Sequence, residues 1–107
     1  INSRITFRHM RHNEALEGII RGRVEKLERF FDRISSCEVI VEAPHRASGK
    51  GPQQYQVRIH MSVPGGEVVV ERTPAVADHD QLQAAVRSAF DAARRQLRTH
   101  AERRRGD

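Results

Sequence analysis

Histidine and cysteine are the residues in this sequence best suited to binding a transition metal, because imidazole nitrogen and thiolate sulfur are preferred zinc ligands. The chain of 107 residues has six histidines and one cysteine, Cys37. His9 and His12 form an H-x-x-H pair in a predicted loop, and the other histidines are scattered. There is neither a C-x-x-C pair nor an H-E-x-x-H motif. We therefore expect no metal and no other cofactor.

Motifs for nucleophilic catalysis and nucleotide binding are also missing from the sequence. Cys37 lies on the apolar face of a predicted strand, which is typical of a small core residue. The serines have no G-x-S-x-G context, and no glycine-rich loop precedes a predicted helix. The sequence therefore predicts that the protein is not an enzyme and has no small-molecule substrate.

Arginine is the residue type that points to a binding function. The formal net charge is +5, and all basic residues except Lys26 and Lys50 are Arg. Guanidinium groups bind phosphate bidentately and stack on bases, so this excess favours a nucleic-acid partner. A GC-rich genome, which favours Arg codons, is the alternative explanation of the bias. Only 5% of the residues are aromatic, which disfavours binding single strands by base stacking.

The positive charge is concentrated at the two ends of the sequence. Residues 1–33 carry eight basic and five acidic groups, residues 34–86 carry four and six, and residues 87–107 carry seven and three. On an ideal wheel of about 100° per residue, one flank of the apolar stripe of the first predicted helix carries Arg23, Lys26, Arg29 and Arg33. On the second predicted helix, Arg87, Arg94, Arg98 and Arg105 fall close together, and Arg95 lies a little further round. The candidate nucleic-acid-binding residues are Arg23, Lys26, Arg29, Arg33, Arg87, Arg94, Arg95 and Arg98.

A purely structural role for these charges is the competing interpretation. Glu and Arg residues at spacings of three and four could pair along one helix, and Glu25 with Arg29 and Glu28 with Arg33 come near to this pattern. Arg23 could cover the core with its aliphatic stem.

Apolar periodicity predicts the two helices that carry these residues. Asn13 is suited to cap a helix over 14–31. Apolar residues recur at helical spacing from Leu16 through Phe30 and continue to Ile34, just after this helix. A second helix is predicted to begin near 78–80 and to continue into the Arg-rich end.

Alternating apolar residues predict four strands, over 4–8, 37–42, 55–63 and 68–72. Pro64-Gly65-Gly66 predicts a hairpin turn between the last two strands, and the stretch from Pro44 to Pro52 predicts an exposed, mobile loop. We therefore expect an α+β fold of order β-α-β-β-β-α. It would be a two-layer sandwich with two helices on one face of a four-stranded sheet.

One domain is expected over 1–107, since this length suffices for one core. The single cysteine excludes an internal disulfide, and no apolar stretch is long enough for a membrane span. No secretory signal begins the chain. These features predict a cytoplasmic protein without a membrane partner. The chain begins without Met and stops in an Arg run, so we expect an N-terminal fragment of a longer protein, itself monomeric.

The sequence resembles the bacterial family of hibernation-promoting factor and ribosome-associated inhibitor A over nearly its whole length. In the first half, the resemblance rests on Ile5-Thr6, Met10, Glu14-Ala15-Leu16, Glu25-Lys26-Leu27-Glu28 and Phe30-Phe31-Asp32-Arg33-Ile34. In the second half, it rests on Pro64-Gly65-Gly66-Glu67, Ala84-Ala85-Val86, Phe90-Asp91 and Arg95-Gln96-Leu97.

This resemblance implies the β-α-β-β-β-α fold, similar to a double-stranded-RNA-binding domain, and a non-enzymatic role. Members of the family bind the small ribosomal subunit in the channel used by mRNA and tRNA, and so silence translation under stress. It further implies that basic helical positions contact ribosomal RNA, with Arg23, Lys26 and Arg95 matching basic family positions. Position 92, often Lys in the family, is Ala92 here.

Three other functions remain open. A general double-stranded-RNA-binding module would bind a plain RNA duplex as well as a ribosome. A protein-interaction module, such as a modulator of a sigma factor, would not need the basic residues. A metal-dependent enzyme would contain a stoichiometric ion.

Overall fold

The computed structural model describes residues 1–43 and 52–106, and they form the predicted α+β sandwich. In chain order, the elements are β1 (Asn2–Arg8), α1 (Glu14–Phe30), β2 (Ser36–Glu42), β3 (Gln53–Gln54), β4 (Gln56–Val63), β5 (Gly66–Arg72), β6 (Ala75–Val76) and α2 (His79–Gly106). The four predicted strands and both predicted helices are confirmed, with bounds that differ by one or two residues.

The main sheet has the strand order β1-β2-β4-β5. β1 is parallel to β2, because α1 carries the chain back between them, and the other neighbours are antiparallel. β1 and β5 are therefore the edge strands of this sheet. Its apolar side chains alternate with polar ones, so that one face is covered by the helices and the other face is polar.

Two short strands, β3 and β6, were not predicted from the sequence. β3 pairs antiparallel with β6, with Gln53 opposite Val76 and Gln54 opposite Ala75. Strands of two residues are too short for apolar alternation to be detected. Of the predicted loop from Pro44 to Pro52, residues 44–51 lie outside the described residues, as does Asp107.

The core lies between the helical layer and the sheet. α1 begins at its predicted cap, where the side-chain Oδ1 of Asn13 accepts a hydrogen bond of 3.0 Å from the backbone N–H of Leu16. It ends at Phe30, and Phe31 donates its backbone N–H to the Leu27 carbonyl. The fully buried large side chains come from both helices and three strands; they are Phe90, Leu16, Ile20, Ile59, Met61, Leu82, Val39, Val41, Val57, Val70, Val86 and Cys37.

A tight turn connects β4 and β5. Val63 pairs with Gly66, which leaves Pro64 and Gly65 as the two central residues of the turn. Gly65 has φ of +87°, as expected at the third position of a type II turn, where about +80° is usual. Pro64 fits the second position, because its ring holds φ near −65°. The predicted hairpin turn is therefore confirmed.

Within the described part of the chain, no helix is both long and apolar enough to cross a membrane.

Candidate nucleic-acid interface

The two helices lie side by side, and their basic flanks face each other. Arg23 of α1 reaches across to α2, where its Nη1 donates to Asp91 Oδ1 at 3.4 Å. The Arg23 side chain is 29% exposed, whereas Asp91 is 59% exposed, so the pair lies at the surface of the helix–helix contact. An exposed pair of this kind contributes little stability, about 0–1 kcal/mol. It orients Arg23 at the centre of the helical layer.

Phe30 and Arg94 form a second contact across the two helices. The Arg94 guanidinium carbon lies 4.5 Å from the centroid of the Phe30 ring, which is within range of a cation–π interaction. The apolar spacing of α1 predicted that Phe30 lies on the buried stripe, and this prediction was wrong, since Phe30 is 56% exposed. Its ring supports a basic side chain at the surface. The Nε of Arg94 is buried without a hydrogen-bond partner in the described residues.

A cleft of about 540 Å³ lies where α1 ends beside the β4–β5 turn and α2. Its apolar lining includes Phe31, Ile34, Val63 and Leu97. Four arginines also line it, and they are Arg33, Arg98, Arg104 and Arg105. The cleft therefore brings together Arg33 and Arg98, which are far apart in sequence. Arg33 was predicted on the flank of the helix, but α1 ends at Phe30 and Arg33 lies in the turn that follows.

The remaining basic positions are exposed on the helices. Lys26 and Arg29 are exposed on α1, and Arg87 is exposed on α2. Of the eight candidate residues, Arg23 is the one that forms an ion pair among residues 1–43 and 52–106. Neither suggested pair, Glu25 with Arg29 or Glu28 with Arg33, forms among the described residues, and Glu28 contacts the N-terminal ammonium group at 3.2 Å. The positive charge of this surface is therefore largely free for an external partner.

The acidic residues of α1 lie on its opposite flank, and two of them, Glu17 and Glu28, contact other groups. Glu17 accepts hydrogen bonds from Arg21 at 2.9 Å and from His12 at 2.7 Å. The bond from Arg21, and then that from His12, lower the pKa of the Glu17 carboxyl below its ordinary value of 4.5. The carboxylates of α1 thus lie on the flank away from α2. The surface where α1 and α2 meet is therefore basic.

Arg95 lies at the margin of this surface. It lines a separate groove of about 400 Å³ between α2 and β5, together with Arg72 and Arg103. Ala92 lines the same groove and is almost fully buried. On an ideal wheel, Arg95 lies further round α2 than the cluster formed by Arg87, Arg94, Arg98 and Arg105, but the sequence could not show which strand lies there.

Arg104 was not among the candidate residues. It lines the 540 Å³ cleft, and its guanidinium group packs against Gly65 of the turn. On a helical wheel, Arg104 falls on the apolar stripe of α2, so a search for a basic flank could not select it. The contact depends on the position of the β4–β5 turn, which is a tertiary feature.

The structure offers no assembled site for metal chemistry in its described ranges, 1–43 and 52–106. No three His, Cys, Asp or Glu side chains there are grouped so that they could hold an ion. Cys37 is buried in the core, as predicted from its strand phase. Burial, and next the charge of Glu28, raise the pKa of its thiol to about 11.

Comparison with known protein families gives a match over almost the whole chain. Residues 3–105 match the family described as Sigma 54 modulation protein / S30EA ribosomal protein. The match includes both helices and the four strands of the main sheet, except the first residue of β1 and the last residue of α2.

Two similar curated proteins carry the name ribosome hibernation promoting factor. The protein from Azotobacter vinelandii is 34% identical over 90 residues, which are 84% of this chain and 73% of that protein. The protein from Pseudomonas putida is 28% identical over 99 residues, which are 92% of this chain and 85% of that protein.

Two solved structures share the fold. The N-terminal domain of Protein Y from Thermus thermophilus superposes with a TM-score of 0.69 at 23% identity, over 94% of this chain and 99% of that one. A ribosomal subunit interface protein from Coxiella burnetii superposes with a TM-score of 0.65 at 15% identity, over 95% and 99%. Both likenesses support the β-α-β-β-β-α architecture.

Proposed function

This chain belongs to the Sigma 54 modulation protein / S30EA ribosomal protein family, and from this premise we propose that it is a ribosome hibernation factor. It binds the RNA of the small ribosomal subunit and thereby keeps ribosomes inactive under stress. The protein acts in the cytoplasm by binding, without catalysing a reaction. The names of the similar proteins from Azotobacter vinelandii and Pseudomonas putida support this proposal.

The observation that carries the proposal is the unpaired positive charge across both helices. Lys26, Arg29 and Arg87 are exposed, and Arg33 and Arg98 share the cleft beyond them. An RNA strand presents a row of phosphates, and each phosphate that a basic side chain neutralises releases a counterion. A rigid, folded surface with such charges favours structured RNA, which is recognised mainly by its shape and backbone.

The proposed mechanism is occlusion of the mRNA and tRNA channel. Phosphate contacts from the helical layer supply affinity, and the shape of the domain supplies its position. The sandwich itself then excludes mRNA and tRNA, and no bond needs to be made or broken. The eight candidate residues take part in this binding, with Arg95 at the margin because it lies beside β5. One copy of the chain per subunit suffices.

Co-sedimentation with purified small ribosomal subunits over a series of salt concentrations tests this proposal. With about six phosphate contacts, the affinity is expected to fall by about three orders of magnitude between low and moderate salt. Excess mRNA and initiator tRNA should displace the protein. Affinity that hardly changes with salt contradicts the electrostatic mechanism.

A plain RNA duplex is the control that separates this proposal from general RNA binding. Ribosome-specific binding predicts that the duplex competes weakly, whereas a general module would bind it equally well. Reversal of Arg94 and Arg98 to Glu should abolish sedimentation with the subunit. A protein-interaction module would keep its partner after these reversals.

A further inference from the structure

We propose that the edge of β5 and the adjoining face of α2 form a docking site for an extended, acidic polypeptide segment that pairs with β5 as a fifth strand of the sheet. This surface adjoins the RNA-binding surface proposed above and shares Arg95 with it, and it implies a protein partner in addition to RNA.

The first observation is the free edge of β5. β5 pairs with β4 on one side, and among residues 1–43 and 52–106 no strand pairs with its other side. In such an edge strand, the backbone N–H and C=O groups of every second residue point away from the sheet. These groups can form a ladder with an added strand, a known mode of peptide recognition.

The groove beside this edge is the second observation. It has a volume of about 400 Å³ and is lined by Glu67, Val68 and Val69 of β5. Successive residues of a strand point to opposite faces of a sheet, and Val68 is buried toward the helices whereas Val69 is 38% exposed. Because both kinds of residue line the groove, it runs along the strand edge.

Charge selects the kind of segment. Arg72, Arg95 and Arg103 line the groove, and Glu67 is its one acidic lining residue. None of the three arginines has an acidic partner in the described part of the chain, and Arg72 donates to the backbone carbonyl of Glu71 at 2.8 Å. Side chains at alternate positions of an added strand would face α2. Acidic residues at those positions would therefore meet the three arginines.

This geometry favours a polypeptide over RNA as the occupant. A sugar-phosphate backbone has no alternating amide donors and carbonyl acceptors with which to continue the sheet. The outer face also disfavours RNA here, because the outward-facing residues of β5 include Glu67 and Glu71. The residues between the acidic positions of the added strand would lie on the outer face, beside these carboxylates and Val69. Thr would suit the neighbouring Val69, and Lys would suit the carboxylates.

The test uses synthetic peptides of the same length as β5, seven residues, with Glu at alternate positions and Thr and Val between them. Binding of the fluorescent peptide to the full chain is measured by anisotropy at low salt. Two further peptides are N-methylated at alternate amides, one at the Glu positions and the other at the intervening positions. A strand on the edge uses only one set of amides, so one methylated peptide should bind about tenfold or more weakly, while the other binds like the parent.

Two protein variants provide a matched comparison. R72Q and R103Q together should weaken peptide binding severalfold, whereas R87Q, on the opposite flank of α2, should leave it unchanged. Backbone amide shifts induced by the peptide should be confined to residues 66–72 and 92–103.

Three results would overturn the proposal. They are the absence of saturable binding, equal binding of both methylated peptides, and amide shifts that map to the other edge strand, β1. Each of them leaves the proposed RNA binding untouched, because sedimentation with ribosomal subunits is measured without any peptide.

Discussion

The guanidinium group of Arg94 lies over the ring of Phe30, with its central carbon 4.5 Å from the ring centroid. This contact joins the last turn of α1 to the middle of α2. It also accounts for a large aromatic side chain that is more than half exposed in a helical layer. In the proposed complex, Arg94 is therefore held in place before RNA arrives, which reduces the entropy lost on binding.

Substitution of Phe30 by Leu tests this preorganisation. The Phe30→Leu variant keeps an apolar side chain but loses the ring, so the free energy of unfolding is expected to fall by about 0.5–1 kcal/mol. The affinity for the small ribosomal subunit is expected to fall severalfold. Urea denaturation and co-sedimentation measure the two effects.

Arg94→Lys is the companion variant for this contact. Lys keeps the charge but lacks the planar group that stacks on the ring, so it should reproduce most of the loss in affinity. If both variants bind the subunit like the original protein, the Phe30–Arg94 contact has no role in RNA binding.

The number of phosphate contacts can be counted from the salt dependence of binding. Replacing Arg87 and Arg98 together by Gln removes two proposed contacts, so the slope of log affinity against log salt should decrease by about 1.5. The matched control replaces Arg4 and Arg8 of β1 by Gln. These two arginines are exposed and lie opposite Glu38 and Glu42 of β2, on the polar face of the sheet that the helices do not cover. An equal change of slope in both double variants would mean that net charge alone governs binding.

Local signals in the sequence account for most of the fold. The apolar spacing of α1, its Asn13 cap and the alternation in β4 each correspond to a described element. The signals failed where a contact is tertiary. Phe30 has helical apolar spacing, but nothing in that spacing reveals that Arg94 stacks on its exposed ring.

The candidate surface could likewise be predicted only in part, because it depends on tertiary contacts between the helices. A helical wheel identifies a basic flank on each helix, but only the packing of α1 on α2 shows that the flanks face each other. Arg95 illustrates the consequence, because it was grouped with Arg94 and Arg98 yet lies in the groove beside β5. The strands β3 and β6 were not predicted, because two residues are too few to show an alternation of apolar and polar side chains.

Cys37 gives a prediction for the dependence of stability on pH. Burial raises the pKa of its thiol from 9.0 to about 11 in the folded protein. The unfolded thiol ionises first as pH rises, so the contribution of Cys37 to stability is complete below pH 9 and is lost progressively between pH 9 and 11. The difference in unfolding free energy between the original protein and Cys37→Ala should therefore shrink over this range.

Thiol reactivity provides an independent check on Cys37. At pH 8, iodoacetamide should modify the folded protein far more slowly than the urea-unfolded protein, because a buried, protonated thiol is a poor nucleophile. Two results would contradict the buried environment of Cys37. One is a difference in unfolding free energy between the original protein and Cys37→Ala that stays constant up to pH 11, and the other is rapid alkylation of the folded chain.

A pair of Gly-to-Ala substitutions tests the conformation of the β4–β5 turn. Gly65 has φ of +87°, a region that residues with a Cβ rarely adopt, so Gly65→Ala is expected to destabilise the protein by about 1–2 kcal/mol. The added methyl group would also meet the guanidinium of Arg104, which must move away from the turn. The same change at Gly22, within α1, has open space around it. Gly22→Ala should therefore stabilise the protein by about 0.5–1 kcal/mol through higher helix propensity.

Urea denaturation of both variants distinguishes backbone strain from the general effect of adding a methyl group, since the two substitutions are chemically identical. Opposite signs are expected, with Gly65→Ala lowering the midpoint and Gly22→Ala raising it at an unchanged slope. Displacement of Arg104 should in addition weaken binding to the small ribosomal subunit in Gly65→Ala, because Arg104 lines the cleft that contains Arg33 and Arg98. A neutral Gly65→Ala variant would mean that the turn adopts another conformation in solution, and that the arginine-lined cleft does not depend on it.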